Sequence, residues 1–388
     1  MKKKICFLTD SVFSFGGVQR VTAVIAKHLS KRFDVTIVTF DKPSDQDLSI
    51  YQLDEADIHY RFIRYPNIGK IKRLLCKLYS ALYRKLLPQT SFTSNLYAHS
   101  SFPSELRRVL TDELKAGEYD TIIGVHAPLA VRLSAIRHSL PGVKLVGWIH
   151  NSVEALFGKE SLYIGPELLK FYIYLFGKLN EVIVLSQDDA KKYQERYYLQ
   201  TTVLYNPLTL SPGPKAQKGR RLFLAVGRLS YLHKGFDILI EAFHLFAKED
   251  SDWSLCIVGE GPEKANLQEM ISNYNLSNRI TIHPFTKHIQ EYYSRASVFV
   301  LSSRWEGLPL VLMEAMSHGL PIISSDLPTC KEIMGDFGIY FKNGNAADLA
   351  LKLSEATKID WEKQSEVALQ IAQRFRVDNI IKAWEKIL

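Results

Sequence analysis

The sequence predicts an α/β protein with two doubly wound parallel-sheet domains, and three observations lead to that fold class. With 388 residues, the chain is too long for one ordinary hydrophobic core. Short apolar runs alternate with segments of helical periodicity, which is typical of parallel βαβ units. A strand, a glycine-containing turn and a helix occupy residues 4–30, and the same pattern starts again at residue 222.

Composition narrows the class of protein further. Apolar residues make up 46% of the chain and charged residues 23%, the values of an ordinary folded protein. The four cysteines are far apart and form no C-x-x-C pair, so we expect reduced thiols in a cytoplasmic protein. The apolar run after Lys4 ends at Leu8, too short for a secretion signal, and no window of about 20 apolar residues could span a bilayer.

The first half of the chain opens with a strand at residues 4–9, a loop, and a helix at residues 18–30. Gly16 and Gly17 lie at the start of this helix, where backbone can approach a ligand closely, although a plain tight turn would also explain them. His150 directly follows a strand at residues 144–149, and ligands bind beyond the carboxyl ends of such strands. A structural role for this histidine is the open alternative. Further strands are predicted at residues 34–40, 59–65, 119–125, 181–186 and 202–205.

A basic amphipathic segment covers residues 70–87. From Ile58 to Ser104 there is no Asp or Glu, and the segment at residues 70–87 carries a leucine-rich face and a cationic face. This pattern favours docking on an anionic membrane surface. The alternative is a helix that packs its leucines on the sheet, and no motif supports nucleic-acid binding. The cations proposed for the membrane are Lys70, Arg73, Lys77 and Arg84.

Two further stretches carry little chemistry, one in the first half and one between the halves. Asp45 and Asp47 form a D-x-D pair, but the pair lies inside a polar loop with no apolar run leading directly into it, so we predict no metal there. Residues 207–220 contain prolines, glycines and lysines with almost no apolar side chains, which is typical of a linker.

The second half repeats the strand–turn–helix pattern with a loop rich in cations. After the strand at residues 222–226 come Gly227-Arg228 and Lys234-Gly235, whose planar guanidinium and ammonium suit a diphosphate; solvated loop cations are the alternative. The next strand, residues 253–258, leads into Gly259-Glu260-Gly261-Pro262, and strands at 279–283 and 298–301 follow.

The most informative stretch is residues 299–326. A strand is followed by Glu306, Gly307 and Pro309, with Pro309 predicted as the first helical residue and Glu314 on the helix at residues 310–318. Free N–H groups near Leu308 and Leu310 at the helix start would suit phosphate. The alternative is that both glutamates only cap helices or pair with nearby cations.

Together, G-R-L…K-G, G-E-G-P and E-x7-E resemble the retaining glycosyltransferases of family four, which have the GT-B fold, here of the type that builds bacterial cell-surface glycans. The resemblance covers nearly the whole chain; it is strong over residues 221–326 and weak over 41–104. It implies two Rossmann-like domains facing a central cleft, at residues 1–206 and 221–371. It also implies that the last helix, within residues 372–388, crosses back to the first domain.

The resemblance implies roles for individual residues. Arg228 and Lys234 would hold the donor diphosphate, Glu314 the ribose, and Glu306 and His150 the donor sugar, without a metal or other cofactor. We expect His150, Glu306, Arg228 and Lys234 to be catalytic. The expected donor contacts are Gly16, Gly17, Arg228, Lys234, Gly259, Gly261, Phe285, Glu306, Gly307, Leu308, Leu310 and Glu314.

The expected activity is retaining hexosyl transfer from a nucleotide sugar, with UDP favoured, to a lipid-linked or membrane glycan of a capsule or lipopolysaccharide. We expect the protein in the cytoplasm, at the inner face of the plasma membrane. A nucleotide-sugar 2-epimerase of the same fold and a non-catalytic sugar-nucleotide binding protein are the alternatives.

Overall fold

The computed structural model describes residues 2–159, 161, 163–210, 213–216, 219–249 and 252–388. The chain divides into two compact units. The first comprises Met1–Pro207 and Ile380–Leu388, and the second Leu208–Asn379. Within the predicted linker, Ser211, Pro212, Gln217 and Lys218 lie outside the described residues.

The first unit is built on a seven-stranded parallel sheet with the strand order β3-β2-β1-β4-β5-β6-β7. Its strands are β1 Lys4–Thr9, β2 Asp34–Thr39, β3 Ile58–Phe62, β4 Thr121–Val125, β5 Lys144–Trp148, β6 Glu181–Val184 and β7 Thr202–Val203. Its helices are α1 Gly17–Leu29, α2 Lys70–Lys85, α3 Ser91–Ser101, α4 Ser104–Ala116, α5 Ala127–Ala135, α6 Val153–Phe157, α7 Leu169–Phe176 and α8 Gln187–Tyr197.

The second unit has a six-stranded parallel sheet with the order β10-β9-β8-β11-β12-β13. Its strands are β8 Leu222–Val226, β9 Ser254–Val258, β10 Ile280–His283, β11 Val298–Leu301, β12 Ile322–Ser325 and β13 Ile339–Phe341. Its helices are α9 Tyr231–Lys234, α10 Phe236–Phe246, α11 Lys264–Asn273, α12 Ile289–Arg295, α13 Leu310–Ser317, α14 Pro328–Met334, α15 Ala346–Ala356 and α16 Trp361–Ala372. The prediction of two doubly wound domains is confirmed.

Both sheets reverse their strand order at one place, between β1 and β4 and between β8 and β11. Loops leaving neighbouring strands diverge at such a switch point and open a crevice beyond the carboxyl ends, where ligands of doubly wound folds bind. In the second unit this position brings the loop after β8 next to the loop after β11. Those two loops carry Arg228, Lys234 and Glu306.

The last helix, α17 (Val377–Ile387), contributes to the core of the first unit. Trp384 is fully buried, with its ring 4.8 Å from Trp148 and 6.2 Å from Phe7. The predicted return to the first domain is therefore confirmed, although the compact unit resumes at Ile380 and not at residue 372. The preceding helix α16 packs on α13 of the second unit, which keeps this stretch there.

The amphipathic segment forms α2, but its leucines do not pack on the sheet. Tyr83 is buried instead, stacked on Tyr97 of α3 at 4.3 Å, and its hydroxyl lies 2.8 Å from Ser94 Oγ. The core-packing alternative for the leucine face is therefore wrong. Within the described part of the chain, no helix combines the length and apolar content needed to cross a bilayer.

Candidate functional site

An ion pair joins the two loops at the switch point of the second unit. Lys234, at the end of the short helix α9, places its Nζ 2.5 Å from Glu306 Oε1 in the loop after β11. Both side chains are largely buried, at 14% and 8% exposure. Because the pair links positions 72 residues apart, the parallel neighbours β8 and β11 must bring it together.

Glu306 is held through one oxygen. Its Oε1 also accepts a hydrogen bond of 2.6 Å from Ser303 Oγ, whereas Oε2 lies 3.8 Å from His233 Nε2, beyond hydrogen-bonding distance. Burial alone would raise the pKa of Glu306, but Lys234 and His233 outweigh it and hold the pKa well below its usual range. Glu306 is therefore an ionised carboxylate whose Oε2 can accept a hydrogen bond from a ligand hydroxyl.

Sequence reasoning missed the aromatic pair beside this carboxylate. The rings of His233 and Trp305 stack almost parallel, with centroids 5.3 Å apart and planes at 5°. His233 Nε2 and Trp305 Nε1 are both buried without a hydrogen-bond partner among the described residues. The only signal in the sequence is that an aromatic residue precedes each member of the Lys234–Glu306 pair.

Backbone and side-chain bonds fix the two loops against each other. Ser302 Oγ donates to the carbonyl of Lys234 at 2.8 Å, and the N–H of Arg304 donates to the carbonyl of His233 at 2.8 Å. Arg304 forms a bidentate pair with Asp237 at 3.0 and 2.6 Å. The loop after β11 is thus attached to the start of α10 as well as to the loop after β8.

The two glycines of G-E-G-P support the loop that carries Arg228. A Cβ atom at Gly259 would lie 1.9 Å from Gly227 O, and one at Gly261 would lie 2.2 Å from Leu229 O. The N–H of Leu229 also donates to the carbonyl of Glu260 at 2.9 Å. The structure thus explains both glycines by close loop packing; their contact with the donor stays a prediction. Arg228 itself is exposed at the surface of this loop.

Glu314 lies on α13, one turn beyond the helix start. It is 2% exposed and accepts a hydrogen bond of 2.9 Å from the Tyr293 hydroxyl. Pro309 is the N-cap with extended backbone, not the first helical residue, and the helix begins at Leu310. Leu308 is buried, Gly307 and Leu310 are half-buried, and Phe285 is exposed after β10.

In the first unit, the glycine turn is held by a tyrosine. Gly16 caps α1, which begins at Gly17, and the N–H of Gly16 donates to the Tyr51 hydroxyl at 2.9 Å. That hydroxyl lies 3.1 Å from the carbonyl of Ser14. The Tyr51 hydroxyl therefore holds the turn between β1 and α1 in place. A role of this turn in ligand binding stays a prediction.

His150 is buried at the carboxyl end of β5. Its ring lies 4.2 Å from Trp148 and 5.2 Å from His126, which follows β4. Burial, with a smaller contribution from His126, lowers the pKa of His150 well below its ordinary value, so this imidazole is neutral at pH 7. Its Nε2 has no hydrogen-bond partner among the described residues.

A buried aspartate on α8 anchors the segment that follows His150. Asp189 Oδ1 accepts from the N–H of Val153 at 2.9 Å, and Oδ2 accepts from Ser186 Oγ at 2.8 Å. Its carboxylate also lies near those of Glu154 and Asp188, close enough together to suit a cation. Lys192 already pairs with Glu154 and Asp188, however, so this cluster has its own counter-ion.

Comparison with known proteins decides the family. A model described as Glycosyltransferase Family 4 matches residues 15–211, half of the chain, and one described as Glycosyl transferases group 1 matches residues 209–374. The chain belongs to glycosyltransferase family 4. The predicted family and GT-B fold are thereby confirmed.

Individual relatives match most or all of the length of this glycosyltransferase. An uncharacterized glycosyltransferase of Haemophilus influenzae is 26% identical over 100% of both chains. The amylovoran biosynthesis glycosyltransferase AmsD of Erwinia amylovora is 26% identical over 99% of both. The N-acetylgalactosamine-N,N'-diacetylbacillosaminyl-diphospho-undecaprenol 4-alpha-N-acetylgalactosaminyltransferase of Campylobacter jejuni is 25% identical over 85% of this chain and 84% of its own.

A solved structure shows the same fold. Anabaena Alr3699/HepE, crystallised in complex with UDP and glucose, superimposes with a TM-score of 0.74 at 19% identity, covering 99% of both chains. The protein therefore has the GT-B fold, in agreement with its membership of glycosyltransferase family 4. The roles of its individual site residues remain predictions.

Proposed function

We propose that this glycosyltransferase moves a hexosyl group from a UDP-sugar, with retention at the anomeric carbon, to a lipid-linked or membrane-associated glycan. The observation that carries the proposal is the buried Lys234–Glu306 pair at the switch point between β8 and β11. It places a cation and an ionised carboxylate where doubly wound folds bind their ligands. Family membership supports sugar transfer as the reaction.

In this proposal the donor lies on the second unit. Arg228, Lys234 and the open N-terminus of α13 at Leu308–Leu310 neutralise the diphosphate, and Glu314 binds the ribose. Gly259, Gly261, Phe285 and Gly307 line the nucleotide. UDP is proposed because the Anabaena relative was crystallised with UDP.

The proposed reaction breaks the bond between the anomeric carbon and the diphosphate oxygen. The acceptor oxygen forms its bond on the same face, and its proton passes to the departing phosphate. Negative charge grows on that phosphate in the transition state, so preorganised cations and helix N–H groups lower the barrier. Glu306 Oε2 and His150 orient the sugar, and no metal is required.

The proposed acceptor belongs to surface polysaccharide synthesis, such as a capsule or lipopolysaccharide intermediate. The Erwinia relative is named for amylovoran biosynthesis and the Campylobacter relative for a diphospho-undecaprenol acceptor, which supports this choice. Such an acceptor would place the enzyme at the inner face of the plasma membrane. The contacts proposed from the sequence are Lys70, Arg73, Lys77 and Arg84.

A panel of nucleotide sugars tests the proposal. The purified enzyme is incubated with each sugar, with and without a membrane extract, and freed nucleotide and products are measured with EDTA present. We expect UDP release that requires the extract and yields an α-linked product from an α-linked donor. Release without any acceptor together with a C2-epimerised sugar would identify an epimerase, and activity only after Mn²⁺ addition would exclude the metal-free mechanism.

A further inference from the structure

The strongest unexplained feature of the molecule is the surface of α2. Ile71, Leu74, Leu75, Leu78, Leu82 and, just after the helix, Leu86 are all between 47% and 78% exposed. The neighbouring helix α3 adds Phe92 and Leu96, at 71% and 42%. Scattered exposed leucines are ordinary, but a contiguous row on one helix marks an interaction surface.

Helical spacing divides α2 into three stripes. The packed stripe contains Lys72, Cys76, Tyr79 and Tyr83; Tyr79 donates to the carbonyl of Thr93 at 3.1 Å, and Lys72 pairs with Glu105 at 2.7 Å. The second stripe is the exposed leucine row. The third is cationic and contains Lys70, Arg73 and Lys77, all exposed. The apolar and cationic stripes therefore both face away from the protein.

Arg84 differs from the other cations predicted to contact a membrane. Its guanidinium hydrogen-bonds the Tyr97 hydroxyl at 3.3 Å and lies 3.7 Å from Glu167. It is thus partly engaged in holding α2 against α3 and the turn before α7. Lys85, one residue later, is exposed and takes the place of Arg84 among the outward cations.

We propose that α2 is a membrane-insertion helix, which lies in the plane of an anionic bilayer with its leucine row below the headgroups. A helix with separate apolar and cationic stripes binds in this way, with its apolar face about 5–10 Å into the headgroup boundary. The inference rests on the proposed function for its biological setting only, because the contact itself requires neither donor nor acceptor. The proposed function includes only an electrostatic contact of the cations with the membrane. This inference adds that burial of the leucine row in the bilayer supplies most of the binding free energy.

The positive charge around α2 favours an anionic bilayer, and not a second copy of the chain, as the partner of the leucine row. Residues 58–104 contain no Asp or Glu, so two copies pairing through α2 would bring cationic stripes together without compensating acids. An anionic lipid surface instead attracts every cation on the helix. The basic stripe therefore favours lipid and opposes self-association.

Flotation with vesicles tests the proposal on the full chain. The vesicles contain phosphatidylethanolamine and phosphatidylglycerol, and the variant Leu74→Ser/Leu75→Ser/Leu78→Ser is compared with wild type. We expect partitioning to fall by at least about tenfold, because the removed side chains supply the buried apolar area. The control is Leu351→Ser on α15, where the leucine is even more exposed (69%); this variant should bind like wild type.

Salt and fluorescence separate insertion from surface attraction. Wild-type binding should partly survive about 1 M salt, where screening shortens the range of exposed charges to about 3 Å. The variant Leu74→Trp should show blue-shifted emission that lipids with brominated chains quench. Complete release by salt without quenching, or unchanged binding of the triple serine variant, would overturn insertion.

A last pair of measurements keeps this inference distinct from the proposed function. Light scattering without lipid should find no oligomer; an oligomer that the triple serine variant dissolves would assign the leucine row to a second copy and overturn the proposal. UDP-sugar turnover with a detergent-dispersed acceptor should be equal in wild type and the triple serine variant. Vesicle binding in the absence of any nucleotide-sugar turnover would still support insertion while refuting the proposed function.

Discussion

At the scale of residues, the candidate site depends on the ion pair between Lys234 and Glu306. The sequence pointed to each residue separately, and the alternative that Glu306 pairs with a nearby cation is what the structure shows. This pairing does not exclude a role in binding, since Glu306 Oε2 and Arg228 remain available to a ligand. Lys234 can contact phosphate while it stays bonded to the carboxylate.

Replacing Lys234 by alanine should damage both stability and catalysis. The variant leaves the buried carboxylate of Glu306 without its main counter-charge, which costs about 3 kcal/mol or more of unfolding free energy. It also removes a cation that stabilises the leaving diphosphate, so kcat should fall about 100-fold or more. Urea denaturation and steady-state kinetics measure the two effects.

The double variant Lys234→Ala/Glu306→Gln separates these effects. It removes both charges, so most of the lost stability should return while activity stays low. Arg228→Ala is the second comparison, since this exposed cation should affect kcat without measurable loss of stability. Equal stability of Lys234→Ala and wild type would contradict the buried ion pair.

At the scale of residues, the sequence could predict only those site residues that belong to a motif a few residues long. Glycines next to cations, and glutamates next to a proline-led helix, are visible within a few residues. The stack of His233 on Trp305 and the use of Ser303 are not, because they depend on how two loops from different strands meet. Only the strand order fixes that meeting.

At the scale of elements, strands were predicted well and helix surfaces poorly. Apolar runs such as residues 222–226 and 298–301 coincide with β8 and β11, because strands buried on both faces read as continuous apolar segments. The short β13 was missed. The periodicity of α2 could not show which of its faces is buried. Tyr83 is buried instead of the leucines because it stacks on Tyr97 of α3, which lies outside this segment.

Asp189 on α8 anchors the segment after His150, and its contribution to the free energy of unfolding should depend on pH. Burial raises the pKa of Asp189 to about 6, and its hydrogen bonds with Val153 and Ser186 only partly oppose this. A folded pKa above the unfolded value of about 3.9 means stabilisation that is complete below the unfolded pKa and is lost as pH rises through about 6.

Asp189→Asn tests this linkage, because the amide can still accept from Val153 and donate to Ser186. The wild type should lose about 2 kcal/mol of unfolding free energy relative to this variant between about pH 4 and pH 7. Urea denaturation of both proteins across this range measures the difference. A difference that does not change with pH would show that Asp189 titrates normally.

At the scale of the whole molecule, the chain contains the same doubly wound topology twice, and its two compact units are interleaved in sequence. Length and the restart of the pattern at residue 222 were enough to predict two domains. The return of the last helix came from family resemblance, since an apolar stripe alone does not say which core it joins. Its contacts with Phe7 and Trp148 answer that question.

Trp384→Ala should therefore weaken the first unit although the residue lies at the other end of the chain. Emptying a fully buried indole site costs about 3–5 kcal/mol. Hydrogen exchange should show lost protection in β1, β4 and β5, with β8 and β11 little changed. Trp361→Ala is the matched control, because its indole donates to the carbonyl of Ser297 at 2.6 Å and should weaken the second unit instead. Equal loss of protection in both units after Trp384→Ala would contradict this prediction. It would mean that Trp384 does not stabilise the first unit alone.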